Sequence, residues 1–147
     1  MPNTAKIVSY DQDVVLWAHQ QAQLLLNKDF SALDLSHLAE EIEDVGKSEQ
    51  RELVSRMAVL IAHLLKWKLQ PERQGSSWQA TIKVQRKDIA RRLKKTPSLK
   101  ADLNDPEWLE SVWGDAMVAF NRETELFSPE EPIWTVDQIR NPDFYPS

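Results

Sequence analysis

MAVLIAHLLKW, Met57 to Trp67, is apolar at almost every position. It has no glycine, no proline and no strict alternation, so it reads as a helix that is apolar nearly all round. Such a helix belongs at the centre of a bundle, with neighbours on most of its sides. His63 stands inside it, where an apolar side chain would pack at less cost. A buried imidazole without a hydrogen-bond partner forfeits about 1–3 kcal/mol, so the ring must be satisfied by a carboxylate or carbonyl, or else be kept for proton transfer or ligand binding. If its role is structural, His63→Ala is expected to cost about 1 kcal/mol or more.

Apolar spacing of three and four continues on both sides of this stretch, and the expected fold is all-α, a bundle of about four to five helices. A first helix is expected from about Asp11 to Asn27, with Ser9 and Gln12 spaced as a capping box. The segment KDFSALD reads as a loop. A second helix is expected from near Leu35, capped by Asp34 or Ser36, to Gly46, where a glycine commonly ends a helix. A third, from about Lys47 to Leu69, contains the opening stretch and stops at Pro71. A fourth runs from about Trp78 to Lys95 behind a Ser76 or Ser77 cap. Thr96-Pro97 and Asp105-Pro106 each look like a cap followed by proline in the first turn, and the second pair opens a helix to about Leu126. The tail, SPEEPIWTVDQIRNPDFYPS, is rich in proline. Trp134, Ile139, Phe144 and Tyr145 should anchor it on the body, with Thr135 and Gln138 capping one more turn. No repeat or low-complexity linker interrupts residues 1–147, which are expected to form a single domain.

Composition narrows the classes of function. The chain has 147 residues, 41% hydrophobic and 28% charged, with a net charge of -5 and no cysteine. It therefore has no disulfide, thiol nucleophile or thiolate metal site. No apolar run reaches the roughly 18 residues that cross a bilayer, because Lys66 and Lys68 end the longest. MPNTAKIVSYDQD lacks the apolar core of a signal peptide, so the expected location is the cytoplasm, with no membrane partner.

Four groups of side chains are candidates for function. On LSHLAEEIEDVG, Leu35, Leu38, Ile42 and Val45 share one face, and Glu41 lies roughly 80° from its centre. Asp44 and His37 flank that edge, so the acidic run is either a solvated face or one side of a cleft formed by Glu41 and Asp44. In the next helix Arg56 and His63 project from nearly one line, with Trp67 one turn beyond. The spacing Arg56-x6-His63 resembles the arginine-to-histidine motif of the HEPN superfamily of helical ribonucleases. That resemblance implies metal-independent cleavage, usually across a dimer, in which an arginine stabilises phosphate charge and a histidine moves protons at the 2′-hydroxyl. The polar residue that commonly follows the arginine in that motif has no counterpart here. In SWQATIKVQRKDIARRLKK, Arg86 falls inside the apolar face made by Trp78, Ile82, Ile89 and Leu93. Its guanidinium either snorkels outward or needs a carboxylate, with Glu41, Glu43 or Asp44 as the expected partner. Lys83, Lys87, Arg91 and Lys94 form a basic stripe, either a plain exposed face or a nucleic-acid surface. No HExxH pair, phosphate loop or GxSxG element occurs, and no cofactor or metal is expected. A metal or ligand at Glu41, Asp44 and His63 would require tertiary structure to assemble it.

Several of these segments together resemble one family. They are YDQDVVLWAHQQAQLL, LAEEIEDVGKSE, HLLKW, SSWQATIKVQRKDI and PIWTVDQIRNPDFYP, spread from about Tyr10 to Pro146. The family is the bacterial one called domain of unknown function 29, common in cyanobacteria. The resemblance implies an all-helical bundle and no particular substrate. Members often carry a cysteine just before the proline of the C-terminal motif, where this chain has Glu131. The family-like segments hold Glu41, Asp44, Arg56, His63, Trp67, Trp78 and Arg86. These either form a buried polar network or line one cleft. The leading expectation is a non-catalytic interaction or binding module with a protein partner or a second copy of itself. The alternatives are a metal-independent ribonuclease or phosphodiesterase using Arg56 and His63, and a metal- or ligand-binding protein.

Overall fold

Helical spacing becomes helix throughout the computed structural model, which describes residues 6–147 and has no strand among them. The α-helices are α1 (Val14–Leu26), α2 (Leu35–Leu69), α3 (Ser76–Lys95), α4 (Lys100–Leu103), α5 (Pro106–Glu123) and α6 (Val136–Arg140). Short 3₁₀ turns at Phe30–Ala32, Pro71–Arg73 and Pro97–Leu99 connect them. Among the described residues no helix is long and apolar enough to cross a membrane.

The largest departure from expectation is α2. Two helices were expected, broken at Gly46, and a single helix of 35 residues is found, roughly 52 Å long. A glycine inside a helix costs about 1 kcal/mol relative to alanine, which lowers helix stability without forbidding it. A break also needs a left-handed residue or a proline, and the sequence after Gly46 supplies neither.

Local chemistry sets the other ends. Ser9 and Gln12 make a turn ahead of α1, the Ser9 N–H donating to Gln12 Oε1 at 3.1 Å. The helix itself begins later than expected, where Asp13 Oδ1 accepts from the Leu16 N–H at 3.0 Å. Lys28 follows α1 with φ 60, a left-handed residue. There the Asp29 N–H donates to the Leu24 carbonyl and the Lys28 N–H to that of Leu25, a Schellman closure with lysine where glycine is usual. Gly75, and neither serine, precedes α3. Thr96 makes no side-chain cap, whereas Asp105 accepts from the Glu107 N–H. α5 stops at Glu123, short of Leu126, where the Thr124 hydroxyl donates to the Phe120 carbonyl at 3.0 Å. Thr135 and Gln138 form the expected reciprocal capping box before α6.

The chain divides into two compact units, one up to Ser48 and one of Glu49–Ser147. The second holds the main core. Met57, Leu60, Ile61, Leu64 and Leu65 are fully buried on α2, as a central helix requires. They pack with Ile82, Ile89 and Leu93 of α3, with Val112, Trp113, Ala116 and Phe120 of α5, and with the tail residues Trp134 and Ile139. Trp113 and Trp134 meet edge-on at 5.5 Å, and Trp134 meets Phe144 at 5.7 Å, so the tail is packed as its aromatic content predicts. The first unit is a hairpin of α1 and the start of α2. Trp17 and Gln21 are its buried residues.

Candidate functional site

Within the second unit most of the charged side chains of α2 and α3 have a partner, while Arg56 Nε and Gln85 Oε1 are buried without a hydrogen bond among the described residues. His63 is half-buried, and its Nδ1 lies 2.9 Å from the Val59 carbonyl one turn back, which assigns the proton to Nδ1. Burial pushes its pKa below the ordinary 6.5, against the pull of that hydrogen bond, so the ring is neutral at pH 7. Arg56 Nε lies 3.1 Å from Glu52 Oε1 on the next turn, but the pair is not aligned as a hydrogen bond. Around it, Arg92 of α3 reaches Asp88 at 2.7 Å and Glu49 and Glu52 at 3.6 Å each. These contacts clasp α3 to α2. Lys66 is 7% exposed and ion-paired with Glu123 of α5. Burial lowers its pKa.

Arg86 corrects a specific expectation. The guanidinium is buried, at 6% exposure, and its partners are backbone carbonyls, with no carboxylate among its hydrogen bonds. Nε donates to Ile139 at 2.9 Å, Nη1 to Pro142 at 3.3 Å and Nη2 to Phe144 at 2.7 Å. The group also lies over the Tyr145 ring, 5.4 Å from its centroid, and that ring meets Trp67 at 5.0 Å. The planar fork of arginine suits a strap of carbonyls pointing inward. Arg86 and Trp67 thus hold the C-terminal tail. Trp78 is half-buried in the first turn of α3.

A second cluster, in the first unit, was not anticipated. Asp34 caps α2 and gathers four donors, the Ser36 hydroxyl at 3.4 Å from Oδ1 among them. Trp17 Nε1 donates to its Oδ2 at 3.0 Å, His37 Nδ1 lies 2.7 Å from the same oxygen, and the His37 N–H approaches Oδ1. Its own N–H donates to Gln21 Oε1 at 2.8 Å. Tyr10 stacks on His37, with centroids 4.3 Å apart, and donates its hydroxyl to Glu41. The bond to Glu41, helped by burial, pushes the tyrosine pKa up to about 12. Burial alone would raise the Asp34 pKa. The bonds from His37 and Trp17 outweigh it and hold the carboxyl below 3.8. The Asp34 bond raises the pKa of His37 above 6.5, against desolvation. The sequence did carry one sign of this cluster, an Asp-x-x-His pair at the start of a helix.

This cluster decides which side of α2 is covered. α1 packs on the edge carrying Asp34, His37 and Glu41, roughly 80° round from the face expected to be buried. That face is left open at Leu35, 68% exposed, Ile42, 72%, and Val45, 68%, while its fourth member, Leu38, is half-buried. Asp44 is exposed as well. Residues expected to oppose one another across two packed helices, Glu41 and Asp44 against Arg56 and His63, are instead strung along one helix.

Lys83, Lys87, Arg91 and Lys94 are exposed on α3, and Arg91 pairs with Asp88 of its own helix. A cleft of about 320 Å³ follows α1, lined by Ile7, His19, Gln23, Leu24, Asn27 and Asp29 among others. Among the described residues no group of three or more His, Asp or Glu is placed to hold a metal ion.

Searches of curated proteins and of solved structures return no significant match. The family model described as Domain of unknown function DUF29 matches residues 9–145, and the chain belongs to that family.

Proposed function

We propose that this protein is a cytoplasmic, non-catalytic helical interaction module whose contact surface is the open face of α2. One observation carries the reading: Leu35, Ile42 and Val45 lie on one line of a helix and are each about two-thirds exposed. Apolar area left in water forgoes roughly 25 cal/mol per Å², and a contiguous patch of it on a folded chain marks a contact surface more often than chance. Apolar anchors seven and three residues apart on one helix face are what a partner helix or groove reads. The surroundings of the candidate catalytic groups support a non-catalytic role. His63 is neutral and tied to its own helix, Arg56 is beside Glu52, and each belongs to the packing of the second unit.

The test is Ile42→Glu in dilute solution. An uncovered position changes stability by no more than about 0.5 kcal/mol in a urea titration. A loss of about 2 kcal/mol or more would mean that the face is covered within the chain, and the reading fails. Cleavage of single-stranded RNA that disappears in Arg56→Ala would replace this reading with the ribonuclease one.

A further inference from the structure

Basic charge on this chain is concentrated on one helix. α3 carries seven of the 18 basic residues and one of the 23 acidic residues, which leaves 22 acids against 11 bases outside it. Two of the seven are committed to packing: Arg86 holds the tail, and Arg92 reaches Asp88, Glu49 and Glu52. Arg91 shares Asp88. Lys83, Lys87, Lys94 and Lys95 are exposed and make no ion pair among the described residues.

Lys83, Lys87, Arg91 and Lys94 lie within about 80° of one another round the helix and span about 16 Å of its length. No acid stands three or four positions from any of these three lysines. Like charges at that spacing destabilise a helix. The helix dipole favours cations in the last turn, which accounts for Lys94 and Lys95, but it does nothing for Lys83 and Lys87 in the middle. The stripe therefore holds repulsion that no ion pair within the chain relieves, although acids are the commoner charge everywhere else. An external polyanion would relieve it.

The same face narrows the choice of anion. Protein interfaces are anchored by buried aromatic and aliphatic side chains and are poor in lysine. No aromatic residue stands on the stripe. Trp78, the one aromatic of α3, lies about 140° round from Lys83, and Val84 is the one large apolar residue exposed on the helix. A helix lying in a membrane surface inserts an apolar face. That of α3, made by Ile82, Ile89 and Leu93, lies in the core. Nucleic acid, by contrast, is held through its phosphates by cations alone. With no ring for bases to stack on, a single strand has no advantage over a duplex. The four side chains are donors only, so none accepts from a 2′-hydroxyl and nothing selects RNA.

We propose that the outer face of α3 binds the phosphate backbone of double-stranded DNA without reading its sequence. This is a second contact surface, on a different helix from the open face of α2, and it goes beyond the interaction reading above. A duplex presents one charge about every 1.7 Å, so roughly ten phosphates lie along the length of the stripe. The net charge of -5 does not prevent contact, because charges more than about 10 Å away are screened at 0.1 M salt.

Fluorescence anisotropy of a labelled DNA duplex of about 20 base pairs tests this. Binding should weaken about 100-fold between about 50 and 200 mM salt, the slope for about four phosphates. Lys83→Gln/Lys87→Gln should bind at least about tenfold more weakly at the lower salt, with about half that slope. Lys28→Gln/Lys47→Gln removes the same charge from exposed positions off α3 and should bind like wild type. No binding at about 50 mM salt and about 100 µM protein overturns the proposal. So does equal weakening in both variants, which would report net charge and no surface. Tighter binding of the single strand or of duplex RNA, or binding of phosphatidylserine vesicles at salt that releases the duplex, overturns the choice of partner. The α3 variant should melt no lower than wild type, since it removes like-charge contacts. A lower melt would place these lysines in the packing, and the proposal fails.

Discussion

Two histidines of similar sequence context have opposite electrostatics, because their partners differ. His63 donates to a neutral carbonyl and loses hydration, so its pKa lies below 6.5. His37 donates to a carboxylate, so its pKa lies above 6.5. An NMR titration of the imidazole protons should give midpoints on opposite sides of that value, and a shared midpoint would contradict both placements. The signs carry into stability. The Asp34–His37 contribution is fully present below pH 6.5 and fades as pH rises through the raised folded value. The penalty for charging His63 appears as pH falls below 6.5 toward its lowered folded value. His37→Gln should therefore differ most from wild type in acid, with the two melting curves converging as pH rises. Arg86 gives a second prediction. Lysine keeps the charge but cannot fork, so Arg86→Lys leaves buried carbonyls of the tail unpaired. The expected cost is about 1–3 kcal/mol in urea, with the tail tryptophan fluorescence changing first. Unchanged stability would mean that the clasp carries no weight.

Among the elements, α1 and α2 each carry one residue that opposes its own helix. Lys28 occupies a left-handed position after α1. Lys28→Gly should stabilise the chain by about 0.5–1 kcal/mol by removing that strain. Gly46 lies inside α2, and a Cβ there would clash with nothing in the chain. Gly46→Ala should therefore also stabilise the dilute protein, by about 0.5–1 kcal/mol, measured as a rise in melting temperature. A loss of stability in Gly46→Ala would show that something does pack against that position.

At the scale of the molecule, burial is uneven. The second unit has a continuous core from Leu53 to Ile139, whereas the first buries Trp17 and Gln21 and rests on the hydrogen bonds around Asp34. Opening free energy follows buried apolar contact, so amide hydrogen exchange should divide α2 within its own length. Amides from Leu53 to Lys66 should exchange only near global unfolding. Those of α1 and of Leu35–Val45 should exchange faster by at least about tenfold, a difference of about 1.4 kcal/mol in opening. Uniform protection along α2 would contradict that division and would place a second core under its first half.

The helical class, the central place of MAVLIAHLLKW, the position of Arg86 on the apolar face of α3 and the Thr135–Gln138 cap are all legible in residue order. Each rests on spacing along one helix or on a bond spanning a few residues, and such interactions are written in the sequence itself. The continuity of α2 was not legible, because one glycine sits near the balance between stopping and continuing, and its cost of about 1 kcal/mol is too small to break a helix by itself. The partner of Arg86 was not legible either. Charge argued for a carboxylate, but backbone carbonyls have no sequence signature and were brought close only by the path of the tail. The covered side of α2 depended on Tyr10 and Trp17 meeting Asp34, His37 and Glu41 across a loop. Amphipathic spacing identifies an apolar face, and only tertiary contacts decide whether that face is buried or left open.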